Sequence, residues 1–344
     1  MAKIDVLLKM MIDHNASDLH ISPGDPPIMR INGSLQRTKY HNLSPEEAEV
    51  ILLELLDDEN LSHLKATKDI DFAHELEDVA RFRANVFIER KGYGGAFRLV
   101  PSQIKTIREL NLPESVQSLV RLKNGLLLVT GSTGSGKSTT LAAMIDLINK
   151  EKNNHIITLE DPIEFIHPRG KCLIHQRQVG LHVESFSSGL RAALREDPDV
   201  VLVGEMRDLE TIHLALTAAE TGLLVMGTLH TSSAPKTVDR IIDVFPTTQQ
   251  PQIRTMLSES LRGVIAQQLL RRADGEGRTA AVEVMISNQA IKNLIREGKS
   301  YQIFSVMQTA KGAGMQTMEN HIKRLVEEGI VTSEEGALYR NEIE

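Results

Sequence analysis

The chain of 344 residues has one cysteine, Cys172, and no tryptophan. A single thiol excludes a disulfide framework or a cysteine-based zinc site within one chain, and fits a reduced, cytoplasmic setting. Aromatic residues make up 3%. Aliphatic packing must therefore build the cores, and the base-stacking surfaces that single-stranded nucleic acid uses are scarce. A basic excess is also missing. The formal net charge is −7; residues 1–100 carry 12 basic and 17 acidic side chains, and the other 244 carry 27 and 29. That balance counts against direct coating of nucleic acid. No run approaches the roughly 18–20 apolar residues of a membrane span. The opening, MAKIDVLLKMMIDHN, is too charged and its apolar runs are too short for a secretory signal. Any link to a membrane is expected to run through a partner.

Aliphatic content is ample, with hydrophobic residues at 41%, and the length suits two or three domains. Residues 3–14 pattern as a short amphipathic helix. SDLHIS alternates like a strand, PGDPP (23–27) is a turn, and IMRING resumes an extended path. LSPEEAEVILLELL carries a helix start: Ser44 caps, Pro45 takes the first position and Glu47 completes a capping box. ARFRANVFIERKGYGGAFRLVP (80–101) reads as a hairpin. Phe82, Ala84, Val86 and Ile88 share one face, Arg81, Arg83 and Asn85 the other, and Gly92, Gly94 and Gly95 are assigned to its turn. These segments predict an α+β domain over residues 1–100. PSQIKTIRELNLP (101–113), with proline near both ends, reads as a linker and hinge.

Residues 114–344 predict a second domain of a different class. Short apolar runs (LLLVT, HIITLE, CLIHQ, DVVLVGE, LLVMGTLH) alternate with helical patterns, as in a mostly parallel sheet covered on both faces. DLETIHLALTAAETG is a helix with Asp208 as N-cap and Gly222 just past its end. From about residue 246 the pattern reads as mainly helical. The fold class is thus α/β, with an α+β domain in front.

GSTGSGKS, Gly131 to Ser138, matches G-x-x-x-x-G-K-[ST] at every fixed position. It also follows a strand-like run and opens a helical one, the context that gives the motif its meaning. Glycines let backbone N–H groups wrap phosphates, and the helix N-terminus adds a positive potential. The nucleotide-contacting set is Ser132, Thr133, Gly134, Ser135, Gly136, Lys137, Ser138 and Thr139. Lys137 is expected on the β- and γ-phosphates of ATP, and Ser138 on Mg2+.

Hydrolysis also needs a carboxylate to orient water. Strand ends in open α/β sheets supply such groups. HIITLEDPIEF offers Glu160, with Asp161 and Glu164 behind it; DVVLVGEMRD offers Glu205. Gly204 stands where a magnesium-binding strand would usually carry aspartate, so Glu205 is expected to reach Mg2+ through water. Glu205 is favoured as the base and Glu160 is its rival. His230, in MGTLHTSSA, is placed to sense the γ-phosphate or to serve a structural turn. His213, inside a helix, reads as packing or an interface contact.

Together SDLHI, RFRANVF, the phosphate loop, LEDPIEF, LREDPDVVLVGEMRD, TGLLVMGTLHTSSA and AIKNLIREGK resemble the secretion-ATPase superfamily. Within it they resemble the PilT-type retraction ATPases of type IV pili, nearly end to end. One departure is Lys292, where that branch more often has arginine; the charge stays but a bidentate contact does not. The resemblance implies a PAS-like first domain, a RecA-like second one, and a homohexameric ring with ATP between domains near a neighbouring subunit. It implies Arg83 and Arg98, with Arg81 less central, as first-domain arginines completing the site. From the residues alone, arginines on a polar strand face pair with carboxylates or solvent. The implied partners are the inner-membrane pilus platform protein and an accessory retraction ATPase. The implied location is cytoplasmic, at the pilus base. The implied output is ATP-driven pilus disassembly and twitching motility. Three readings compete: the accessory motor or a related secretion or DNA-uptake ATPase, a nucleic-acid motor on the same core, and a nonhydrolytic scaffold. The single cysteine and short first domain disfavour the secretion branch.

Overall fold

The computed structural model describes residues 3–31, 33–76, 79–100, 103–275 and 277–341. The chain divides between Gln103 and Ile104 into two compact units.

The first unit runs α1 (Lys3–Asp13), β1 (Asp18–Ile21), β2 (Ile28–Ile31), β3 (Ser34–Arg37), α2 (Pro45–Leu53), α3 (Asp58–Thr67), β4 (Asp69–Leu76), β5 (Ala80–Glu89) and β6 (Gly92–Val100). Its antiparallel sheet has the order β3-β2-β1-β6-β5-β4. Ser44 and Glu47 form the reciprocal capping box at α2. Phe82, Ala84 and Val86 enter a core with Ile4, Leu8 and Leu52. Ile88, on the same side but near the hairpin tip, is 38% exposed.

The hairpin turn needs correction. Glu89 pairs with Gly92, so only Arg90 and Lys91 turn the chain, and Gly94 and Gly95 lie within β6 opposite Phe87 and Val86. They are small because neighbours press on them. A Cβ on Gly94 would lie 2.5 Å from the Phe87 ring, and one on Gly95 2.4 Å from Leu52.

The linker assignment narrows too. Residues 101 and 102 lie outside the described residues. From Ile104 the segment belongs to the second unit, where Ile107 and Leu112 bury beside Val116, Leu141 and Ile145. Two buried aliphatic side chains anchor it, so it is no free spacer.

The second unit runs α4 (Glu114–Val120), β7 (Gly125–Thr130), α5 (Lys137–Glu151), β8 (His155–Glu160), β9 (Leu173–Gln178), α6 (Phe186–Ala193), β10 (Val200–Val203), α7 (Leu209–Glu220), β11 (Leu224–Leu229), α8 (Ala234–Asp243), α9 (Gln250–Ser260), β12 (Leu261–Arg271), β13 (Arg278–Ile286), α10 (Gln289–Arg296), α11 (Ile303–Thr309), α12 (Met318–Glu327) and α13 (Ser333–Asn341). The sheet order is β13-β12-β7-β11-β10-β8-β9. All neighbours are parallel except the β12–β13 hairpin.

Continuous apolar runs make sense here because alternate residues feed two cores. Leu126, Leu128, Val201 and Val203 face one cluster with Ile212 and Leu216 of α7. Leu127, Val129, Val200 and Leu202 face the other, with Leu141 and Ile145 of α5. Within the stretch after residue 246, where a mainly helical pattern was expected, β12 and β13 stand between α9 and α10 and extend the sheet beside β7. Among the described residues, no helix is long and apolar enough to cross a membrane.

Candidate functional site

The site starts where β7 ends. Residues Gly131 to Ser138 turn the chain into α5, whose first residue is Lys137. Gly131, Gly134 and Gly136 take φ values of +145°, +77° and +89°, a region that side chains resist. Gly131 also has no room for a Cβ, which would sit 2.3 Å from the Gln267 carbonyl oxygen. The bend presents consecutive N–H groups beside a helix N-terminus, an arrangement that attracts anions.

Ser132, Thr133 and Gly134 are exposed, Ser135 is buried, and Gly136, Lys137, Ser138 and Thr139 lie between. Lys137 Nζ donates to the carbonyls of Gly131 at 2.9 Å and Ser132 at 3.0 Å. Burial lowers its pKa, while the charges of Glu205 and Glu164 pull it back up. The lysine therefore shares a neighbourhood with both carboxylates.

Two neighbouring strand ends complete the constellation. Beyond β10, Gly204 passes close to β8: a Cβ there would lie 3.0 Å from the Leu159 oxygen and 3.3 Å from Glu160 Cα. Crowding by backbone accounts for a glycine where aspartate was the expectation. Thr228 Oγ1 of β11 donates to the Gly204 carbonyl at 2.5 Å, and Met206 N donates to the Thr228 carbonyl at 3.0 Å. The turn bearing Glu205 is thus fastened to β11. Glu205 Oε1 accepts from Arg207, and His230 Nε2 lies 3.1 Å from the same oxygen.

Glu160 closes β8 in a different environment. It accepts from Thr158 Oγ1 at 2.6 Å and Gln176 Nε2 at 3.2 Å. Burial pushes its carboxyl above the ordinary value, partly offset by these bonds and by a backbone bond from Glu164. Asp161 acts electrostatically on Arg207. His213 makes an edge contact with Phe245, centroids 6.5 Å apart, and belongs to packing.

The arginines lie in the first unit. Arg83 on β5 is directly opposite Arg98 on β6, Arg98 is opposite Asp18, and Asp18 is opposite Arg30. This row places two guanidiniums, Arg98 and Arg30, on the buried carboxylate of Asp18, with Arg83 beside Arg98. Arg98 Nε sits 2.8 Å from Asp18, Arg30 Nε 3.8 Å from it, and Arg83 Nε 3.8 Å from Asp71. Burial raises the Asp18 pKa, but the Ser17 hydroxyl and Arg98 outweigh it and hold the carboxyl below its usual range. Arg81 lies opposite Glu75. Lys292 makes one contact with Glu259, at 3.0 Å, beside Arg296 at 2.8 Å, so α10 is clipped to α9.

Several site residues escaped the sequence reading: Arg30, Gln176, Arg207, Thr228 and Gln267. Gln267 sits in LRGVIAQQLLRR, where two glutamines inside an apolar run were the available signal. As for a metal, no group of three or more His, Cys, Asp or Glu among the described residues could hold one unaided.

Comparison with known proteins places these features in a family. The model of the "Type II/IV secretion system protein" family matches residues 1–338. The chain is 49% identical over 331 residues to the type IV pilus retraction ATPase PilT of Pseudomonas aeruginosa, covering 96% of each. It is 50% identical over 308 residues to a twitching motility protein of Neisseria gonorrhoeae, covering 90% of this chain and 82% of that one. A crystal structure of the pilus retraction motor PilT with bound ADP superposes with a TM-score of 0.91 at 46% identity, covering 98% of this chain and 96% of the other. With the phosphate loop, the acidic strand ends and both sheets accounted for, the chain belongs to the type II/IV secretion ATPase family, in its PilT-like branch.

Proposed function

We propose that this protein is an ATP-hydrolysing motor that works as a homohexamer and powers type IV pilus retraction and twitching motility. The observation that carries the reading is the convergence of Lys137, Glu205 and His230 at the ends of adjacent strands. Phosphoryl transfer asks a protein mainly for positioning and for positive charge on the phosphate oxygens. Lys137 supplies a cation, and its two bonds to loop carbonyls are of the kind phosphate oxygens can take over. Glu205 orients water, with His230 holding the carboxylate and reporting on the γ-phosphate beside it.

Ser138 and Glu205 offer hard oxygen donors and would hold Mg2+ when it binds with ATP. When bound with ATP, Mg2+ neutralises charge on the β- and γ-phosphate oxygens. Arg83 and Arg98 supply further cations in the assembled ring. For that they must exchange Asp71 and Asp18 for phosphate, and the exposed position of both guanidiniums permits it. Loss of the γ-phosphate removes contacts that favour one arrangement of the two units over another. That difference in binding is the source of the work. The partner is the platform protein at the inner membrane, reached from the cytoplasm.

Two substitutions test the reading. Lys137→Ala should abolish tight ATP binding and turnover. Glu205→Gln should bind ATP but lose turnover by about 100-fold or more, and cells relying on it should fail to retract pili. Full ATPase activity in Glu205→Gln would overturn the assignment of the base. Normal retraction powered by Lys137→Ala would overturn the motor.

A further inference from the structure

The β12 strand touches the phosphate loop through one buried side chain. Gln267 is 3% exposed. Its Nε2 donates to the Ser135 carbonyl at 2.7 Å, and its Oε1 accepts from Thr140 Oγ1 at 2.7 Å. Thr140 lies in the first turn of α5 and is 1% exposed. The hydroxyl must donate to the amide oxygen for the amide nitrogen to donate to the loop, so the two bonds fix each other's sense. The Gln267 backbone also crowds the loop's first glycine, and its amide would meet a Cβ on Gly136 at 2.7 Å.

In a trans peptide the carbonyl and the following N–H point in opposite directions. Holding the Ser135 carbonyl toward β12 therefore turns the Gly136 N–H away from β12. Without such a hold the peptide flips at little cost, because Gly136 has φ +89° and no Cβ to restrict it. A flipped peptide would present a carbonyl oxygen to phosphate in place of a donor.

We propose that Gln267 is a positioning residue for nucleotide binding: its side-chain amide locks the Ser135–Gly136 peptide so that the phosphate loop is preformed. This deepens the reading of the loop as an ATP site and rests on it. It assigns a function to β12, a strand remote in sequence from the motif. It also predicts that a change of donor chemistry at 267 acts on nucleotide affinity, beyond any effect on packing.

The experiment measures binding of ADP with Mg2+ by calorimetry for the full-length protein, with thermal unfolding as the check of fold. Wild-type protein is measured first; if it does not bind ADP, the nucleotide reading fails and this inference is not the reason. Gln267→Met keeps the length and volume of the side chain and removes both hydrogen bonds. It should weaken ADP binding about 10- to 100-fold, the range expected for an orphaned buried polar group. Thr140→Val should weaken it less, and the double variant should fall short of the sum, since both changes break one chain of bonds.

Gln267→Glu gives a readout that packing alone would not move. An ionised carboxylate cannot donate to Ser135, whereas the protonated acid can. The loop it faces carries one charged side chain, Lys137. Affinity relative to wild type should be poor at pH 8 and recover as pH is lowered toward 5.5. Wild-type affinity in Gln267→Met, or a Gln267→Glu defect that stays constant across that range, would overturn the proposal.

Discussion

At the scale of single residues, Glu160 and Glu205 are two carboxylates with opposite surroundings, and this separates their roles. Glu160 is half-buried among hydrogen-bond donors, and burial pushes its pKa up. Glu205 is held between Arg207 and His230. If Glu160 were the base, turnover would climb as pH rose through its raised pKa, and Glu160→Gln would abolish it. With Glu205 as base, Glu160→Gln should keep turnover within about threefold of wild type, against the 10²–10⁴ typical of a lost general base. Stability supplies a second readout. A carboxyl whose folded pKa is raised stabilises below its unfolded pKa and loses that contribution as pH rises through the folded one. Glu160→Gln should therefore gain on wild type in urea midpoint from pH 5 to pH 8. The phosphate loop is legible in the sequence because its parts are contiguous and its geometry follows from glycine. Gln267 is not, because it acts across 132 residues of chain on Ser135, and nothing local marks it as a brace.

At the scale of elements, the signals that read well are those whose partners lie within one turn. The start of α2 is one: Ser44 Oγ accepts from Glu47 N at 3.2 Å, and Glu47 Oε2 accepts from Ser44 N at 2.8 Å. Ser44→Ala should cost about 1 kcal/mol of stability in the first unit, and chemical denaturation followed by far-ultraviolet circular dichroism would measure it. The loss should leave ADP binding unchanged, because the second unit carries the loop. The β12–β13 hairpin reads poorly for the converse reason. Its strands hold leucine, alanine and glutamine, which helices tolerate equally well. Its identity as sheet comes from pairing with β7 and from burial of Val264, Ala266, Val282 and Val284. The Asp274–Gly275 pair was the local sign of a turn, of the kind that joins hairpin strands. Gly94 and Gly95 mislead in the same way. Glycine suggests a turn, but here it makes room for Phe87 and Leu52.

At the scale of the whole molecule, buried titratable groups set how the fold answers to pH. His321 of α12 is 1% exposed. Its Nδ1 accepts from Val282 N at 2.9 Å, so the neutral ring is bound to β13. Burial, with Arg324 adding to it, lowers its pKa from 6.5 to about 4. His167 falls from 6.5 to about 4 through burial, with Asp146 opposing. A depressed histidine contributes stability that is present above 6.5 and lost as pH falls toward the folded value, because the unfolded chain takes the proton first. Glu160 and Glu283, both raised by burial, act in the opposite sense and are favoured at low pH. The wild-type profile therefore sums contributions of opposite sign, and a single midpoint curve would hide its parts. The difference between wild type and His321→Gln isolates one of them. A fall from 6.5 to about 4 corresponds to at most ~3 kcal/mol. The stability advantage of wild type over His321→Gln, taken from urea unfolding of the second unit, should be constant above pH 7. Below that it should shrink steadily, by about 2 kcal/mol at pH 4.5. An advantage that does not change with pH would mean that the ring is protonated in the folded protein and that the bond from Val282 does not hold it neutral.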